Sequence, residues 1–225
     1  MTTTSASWVE ERLGASLRAT AGEPLHDLVV LGLRRNPRRA HLLVSGVLGK
    51  HVPADPRAVH GTAQRLGRLV AAALDGADAV VLGFAETATG LGHGVAETLA
   101  APYLHSTRRR VASAVPLAGF REEHSHAADH LLLPEDPAFL AGGSALVLVD
   151  DELSTGRTAR NTIAALHALV PHRRYVVATI VDVRSDGDRA AMDDFAAALG
   201  APVEVVALGT GRVSLPDGFA GAALD

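Results

Sequence analysis

The segment Leu146-Val147-Leu148-Val149-Asp150-Asp151-Glu152-Leu153-Ser154-Thr155-Gly156-Arg157-Thr158 runs from aliphatics into adjacent carboxylates and then into a hydroxyl-rich turn with one glycine. Neighbouring residues on a strand point to opposite faces, so Asp150 and Asp151 suit vicinal hydroxyls or a hydrated metal ion better than a phosphate. Ser154, Thr155, Gly156 and Thr158 open a predicted helix whose apolar positions are Ala159, Ile163, Leu166 and Val170. Hydroxyls, a flexible glycine and free helix N-terminal amides together form a cradle for an anion. A sugar diol beside a phosphate, hence a phosphorylated ribose, is the ligand implied. The plainer reading is a helix cap and an ordinary turn. The nucleotide loop that ends in Gly-Lys-Ser/Thr is absent, and Gly90-Leu91-Gly92-His93-Gly94 lacks the dinucleotide-binding spacing.

Four further groups carry chemistry. Phe84 to Gly90 follows an aliphatic run and is small, hydroxylated and glycine-ended, as a loop meeting a pyrophosphate backbone-first would be. Glu86 suits such an anion only through a metal ion or by holding the loop's shape. Arg108, Arg109 and Arg110 end the next apolar run, where guanidinium forks could hold phosphate oxygens, although basic clusters are commonly solvated surface. Lys50-His51 includes the only lysine among 21 basic residues and could reach a ligand from outside the core or lie on the surface. His124 and His126 beside Glu122 and Glu123 suggest a transition-metal site, but no third well-spaced ligand accompanies them.

These groups need a scaffold. Runs at Ala79 to Gly83, Tyr103 to Thr107, Ala145 to Val149, Tyr175 to Val183 and Val203 to Leu208 read as strands. Helical spacing covers Leu91 to Leu99, Thr158 to Val170 and Asp188 to Leu199 between them. Strands alternating with helices predict an α/β fold, a parallel sheet with helices on both faces. Trp8 to Arg18 is predicted as a helix with Val9, Leu13 and Leu17 on one side. Leu28 to Leu33 and His41 to Val47 flank an Asn36-Pro37 turn and predict a hairpin, and Asp55-Pro56 caps the helix that leads into the core. The expected division is a hood of residues 1–54 and a core of residues 55–225. Arg110 to Gly143 is too long for an ordinary connection and is expected to be functional or mobile.

Composition narrows the class. Hydrophobic residues make up 48% but aromatics only 4%, so the core must be built from Ala, Val and Leu, as covered parallel sheets are. A net charge of −4 gives no general attraction to nucleic acid or anionic membrane, and the expected partner is a small molecule. No cysteine is present, which excludes disulfides and thiolate metal sites. No apolar stretch approaches a signal peptide or membrane span, so a cytoplasmic protein is expected.

The stretch Val147 to Thr158 resembles the phosphoribosyl-pyrophosphate signature of type I phosphoribosyltransferases. Glu152 departs from that pattern, which prefers an apolar residue there. It is similar instead to an orotate-phosphoribosyltransferase-like subfamily of tellurium-resistance biosynthetic operons, as are Asn36-Pro37-Arg38-Arg39, Leu42 to Ser45, Val47 to Pro53 and Gly83 to Gly92. The resemblance implies transfer of ribose 5-phosphate from phosphoribosyl pyrophosphate to a nitrogenous, nucleobase-like acceptor, with release of pyrophosphate. Asp150 and Asp151 would hold the ribose hydroxyls and, directly or through water, Mg2+. Ser154, Thr155, Gly156, Arg157 and Thr158 would hold the 5′-phosphate. Ala85, Glu86, Thr87, Ala88, Thr89 and Gly90, with Arg108 and Arg109, would hold the pyrophosphate, and Lys50 and His51 would face the acceptor from the hood. A mobile loop carrying Arg121, Glu123 and His124 would close over the reaction, Arg121 on leaving-group charge and Glu123 or His124 on the acceptor's proton. The lysine usual in that loop is missing. Relatives commonly form homodimers. Two other functions fit the same pocket: a regulator that binds phosphoribosyl pyrophosphate without turnover, and a phosphorylase or hydrolase acting on a ribosylated compound.

Overall fold

Asp55 and Pro56 show how local signals start elements in this chain. The Asp55 carboxylate accepts a hydrogen bond from the Arg57 amide at 2.8 Å, and Pro56 takes the first helical position, where its missing N–H costs nothing. The structure, a computed structural model, describes residues 7–36, 39–112, 116–120, 130–142 and 145–223.

The chain begins with helix α1 (Trp8–Leu13), strand β1 (Ser16–Gly22) and the single turn α2 (Leu25–Leu28). The hairpin β2 (Val29–Leu33) and β3 (His41–Ser45) precedes α3 (Pro56–Leu74). Next come β4 (Ala79–Gly83), α4 (Thr89–Leu99), β5 (Tyr103–His105), and the short strands β6 (Ala118–Phe120) and β7 (His130–Leu132). A 3-10 helix (Pro137–Gly142) leads to β8 (Ala145–Leu153), α5 (Arg157–Leu169), β9 (Arg174–Asp182), α6 (Asp186–Leu199), β10 (Val203–Ser214) and α7 (Phe219–Ala222).

Six strands form the main sheet in the order β1-β10-β9-β8-β4-β5, parallel except for β1, which runs antiparallel along β10. Alternate residues of the central strands feed two cores. Val81, Val147, Val149, Val176 and Ala178 meet Leu66 and Val70 of α3 and Val95 of α4. On the opposite face Leu82, Leu146, Leu148 and Val177 meet Ile163 and Leu166 of α5 and Met192 of α6. Burial on both faces is why these strands read as unbroken aliphatic runs. The α/β architecture with a small N-terminal hairpin is therefore as expected.

Local corrections follow from packing. The helix predicted from Trp8 to Arg18 stops at Leu13, because Gly14 takes a left-handed conformation (φ 66°) and turns the chain. Leu17 then lies in β1 instead, its side chain in the core. The long span after Arg110 holds the β6–β7 pair and the 3-10 helix, whose elements are too short to leave a periodic signature. Strand β8 runs past Val149 to Leu153, so the acidic residues belong to the strand itself.

Candidate active site

The overhang of β8 makes the site. Gly83 is the last β4 residue paired to β8, opposite Val149, whereas β9 continues beside β8 as far as Leu153. Asp150 to Leu153 thus project beyond the end of β4, on the side where ligands sit in parallel sheets. The Phe84 amide donates to the Val149 carbonyl at 2.9 Å, and the following loop turns away to bound a cavity of about 310 Å3.

That loop is anchored from below and from the side. The Ala85 amide donates to the Ser106 hydroxyl at 2.9 Å, and Ser106 in turn bonds His130 Nδ1 at 2.9 Å. The Thr87 hydroxyl donates to Asp151 Oδ1 at 2.8 Å, tying the loop to the acidic pair, and the Ala85–Glu86 peptide is cis. Behind it, Tyr103 donates to the Thr89 carbonyl at 2.5 Å and occupies the space that side chains at Gly83 or Gly92 would need.

The turn after β8 has the shape that the sequence suggested. Gly156 is left-handed (φ 71°), and a Cβ there would lie 2.9 Å from Met192 Cε. Arg157, Thr158 and Ala159 begin α5 at the cavity wall, where the Arg157 amide donates to the Thr155 hydroxyl at 3.4 Å, so the helix N-terminus lies beside Ser154 and Thr155. Beneath, buried Asp182 binds Arg184 through two side-chain bonds at 3.0 and 2.9 Å and Arg189 at 2.6 Å. Burial alone would raise the Asp182 pKa, but the bonds and charges of these arginines hold it below the usual carboxylate range.

The three consecutive acids differ in their surroundings. Burial, reinforced by the Asp151 charge, pushes the Asp150 carboxyl well above its ordinary pKa. Burial also raises Glu152, with Arg39 opposing and Asp151 adding to the shift. Such a floor favours a ligand that brings hydroxyl donors or a cation. Over it lies the β2–β3 hairpin. Arg39 at its tip forms an ion pair with Glu152, and Arg34 Nε donates to the Arg39 carbonyl at 2.8 Å. His51 accepts the Ser45 amide at Nδ1, leaving Nε2 directed to Asp151 Oδ2 at 3.7 Å.

Of the residues anticipated from sequence, His51, Ala85, Glu86, Thr87, Arg108, Asp150, Asp151, Ser154, Thr155, Gly156, Arg157 and Thr158 line this one cavity. Lys50, Ala88, Thr89, Gly90 and Arg109 do not line it; Lys50 and Arg109 are exposed, and Ala88 and Thr89 support the loop from behind. Arg121, Glu123 and His124 lie outside the described residues, as does His126. Sequence reasoning missed Arg34, Leu42, Leu43 and His130 as lining residues and gave Arg39 no role. Their partners are remote in the chain, so spacing carried no signal for them. Among the described residues no group of three or more acids and histidines gathers as a metal site, and no helix is long and apolar enough to cross a membrane.

Comparisons with known proteins agree with this geometry. The main-sheet architecture is similar to that of adenine phosphoribosyltransferase from Leishmania tarentolae, with a TM-score of 0.55 and 16% identity over 85% of this chain and 94% of that one. It is similar also to the adenine phosphoribosyltransferase of Rhodothermus marinus DSM 4252, with a TM-score of 0.53 and 16% identity over 80% of this chain and 93% of that one. A third, from Trypanosoma brucei in complex with AMP, pyrophosphate and ribose-5-phosphate, has a TM-score of 0.51 and 15% identity over 86% of this chain and 76% of that one. At these identities the likeness is one of fold. No curated protein matches the sequence. A family model described as phosphoribosyl transferase matches residues 28–212, spanning the hairpin, both ligand loops and the acidic strand, and the chain belongs to that family of enzymes.

Proposed function

We propose that the enzyme transfers ribose 5-phosphate from phosphoribosyl pyrophosphate to a nitrogenous, nucleobase-like acceptor. The observation that carries this reading is the overhang of β8, which sets Asp150 and Asp151 between the Ser154–Thr158 cradle and the Ala85–Thr87 loop in one cavity. In the reaction the anomeric C–O bond to pyrophosphate breaks, a C–N bond to the acceptor forms, and the acceptor's N–H proton departs. Asp150 and Asp151 accept hydrogen bonds from the ribose hydroxyls, the α5 N-terminus with Ser154 to Thr158 binds the 5′-phosphate, and Ala85, Glu86, Thr87 and Arg108 surround the pyrophosphate. Asp150 and Asp151 would also hold Mg2+, directly or through water. Two carboxylates plus substrate oxygens are a usual donor set for that ion, and a carboxyl destabilised by burial gains from a cation beside it. When bound, the ion would neutralise charge growing on the leaving group.

Arg121, Glu123 and His124 are proposed for the closing loop, the N-terminal hairpin for the acceptor hood, and a cytoplasmic homodimer for the assembly. A specialised nucleoside-like or tellurium-resistance pathway is proposed for the acceptor, on the subfamily resemblance alone. Isothermal titration with phosphoribosyl pyrophosphate, with and without Mg2+, tests the central reading. Binding is expected to need Mg2+ and to weaken by more than about 100-fold in the Asp150→Asn/Asp151→Asn double variant, since two charge-assisted bonds at roughly 1.5–3 kcal/mol each are lost. Metal-independent binding, or a double variant of unchanged affinity, would refute the assignment.

A further inference from the structure

The acceptor is undefined by the reaction, and the hood end of the cavity carries groups that would choose one. This inference rests on phosphoribosyl transfer as the activity. Glu152 follows the acidic pair on β8 and lines the cavity, with its side chain 19% exposed. Its Oε1 is taken by Nη2 of Arg39, whereas among the described residues Oε2 accepts no hydrogen bond. A partly desolvated carboxylate with one unused oxygen is costly unless something donates to it. Arg39, likewise, has more N–H groups than the one given to Glu152. The backbone carbonyl of Arg39 is held by Arg34, so the pair is fixed at the hairpin tip. Leu42 of β3, partly exposed, lines the same cavity and offers apolar surface to a ring.

The pair presents acceptors and donors side by side. Its complement is a ring edge with an N–H next to a hydrogen-bond acceptor. Two such edges are common: a lactam, with a carbonyl oxygen, and an amidine, with a ring nitrogen. A carbonyl oxygen has two lone pairs and can meet both prongs of a guanidinium, whereas a ring nitrogen has one and meets a single N–H. We propose that Glu152 and Arg39 are specificity-determining residues that recognise the lactam edge of an oxo-substituted nitrogen heterocycle, the ring N–H donating to Glu152 and the carbonyl accepting from Arg39. A site built on polar pairing rejects ligands that leave its groups unpaired far better than an apolar pocket rejects a misfit.

The experiment follows pyrophosphate release by the full chain with phosphoribosyl pyrophosphate and Mg2+, offered hypoxanthine or uracil as lactams and adenine as the amidine. At least one lactam is expected to exceed adenine in kcat/KM by about 10-fold or more. Glu152→Gln and Arg39→Lys should each shrink that ratio toward unity, chiefly through the acceptor KM, while calorimetric binding of phosphoribosyl pyrophosphate persists. Melting curves confirm that each variant is folded. Equal or better use of adenine, release with none of the three, or a ratio unmoved in both folded variants would overturn the inference while leaving the donor site intact. Failure of the wild-type chain to bind phosphoribosyl pyrophosphate would remove both readings together.

Discussion

The anion end of the cavity, from Ser154 to Thr158, is made of consecutive residues on one turn and one helix N-terminus, whereas the hood end joins Arg39 to Glu152 across 113 positions of the chain. The first is anchored in the sheet by β8 and by the arginine-bound Asp182 beneath it. The second rests on a two-stranded hairpin that touches the acids through side chains at its tip and at His51. On the proposed assignment, donor recognition is tied to the stability of the core, while acceptor recognition depends on side chains at the tip of a hairpin whose Val29, Leu31 and Leu43 are themselves packed in the core. Damage at the anion end should lower stability and donor affinity together, and damage at the hood end should alter acceptor choice alone.

Ser106→Ala is the severest single test of that contrast. It strips the buried Ala85 amide and His130 Nδ1 of their shared partner, at a cost of about 1–3 kcal/mol. Chemical denaturation should show that loss, and pyrophosphate affinity should fall with it. Retained pyrophosphate affinity in a destabilised variant would separate the loop's shape from its support and break the comparison.

Gly156→Ala should cost somewhat less, roughly 1–2 kcal/mol, because an L-residue is strained at this φ and its Cβ meets the movable Met192 methyl. Affinity for phosphoribosyl pyrophosphate is expected to drop by about 10-fold, a 1.4 kcal/mol effect, measured by titration beside a melting curve. A lowered melting temperature with undiminished affinity would show that the turn serves the fold and not the phosphate.

The smallest effect has the opposite sign. With its carboxyl pushed up by burial and by Asp151, Asp150 binds more protons folded than unfolded, so its contribution to stability is greatest in acid. That contribution declines as pH rises from the unfolded carboxyl range, about 4, through the raised folded value. Asp150→Asn, which cannot ionise, should therefore melt a few degrees higher than the wild type at neutral pH without ligand, each kcal/mol being worth about 2–4 °C in a chain of this size. The gap should close below about pH 4. An asparagine variant that melts lower at neutral pH would mean that the acid stabilises the fold and is not held at its expense for a ligand.

Much of this plan was legible before folding. Strand β4 has the predicted bounds, Asp55 and Pro56 start α3 as their types require, and the aliphatic run into Asp150 and Asp151 marks the sheet's functional edge. Each depends on residues within one or two turns, where sidedness and capping act locally. Less was legible where a residue's neighbours decide its conformation. Leu17 continues the helical spacing of Val9 and Leu13, yet pairing with Val213 on β10 draws it into a strand. The three-residue strands β6 and β7 depend on each other and leave no periodicity to read.

The site divides in the same way. By itself the sequence determined the hydroxyl-and-glycine turn, the acidic pair and the loop after β4, because their chemistry resides in consecutive residues and in backbone amides that local conformation orients. Only tertiary structure decided that His130 lies under that loop through Ser106, that Thr87 meets Asp151, and that Arg39 faces Glu152. A hydrogen bond or ion pair acts over a few ångströms regardless of the length of chain between its ends, so spacing in sequence cannot record which distant groups the fold brings together.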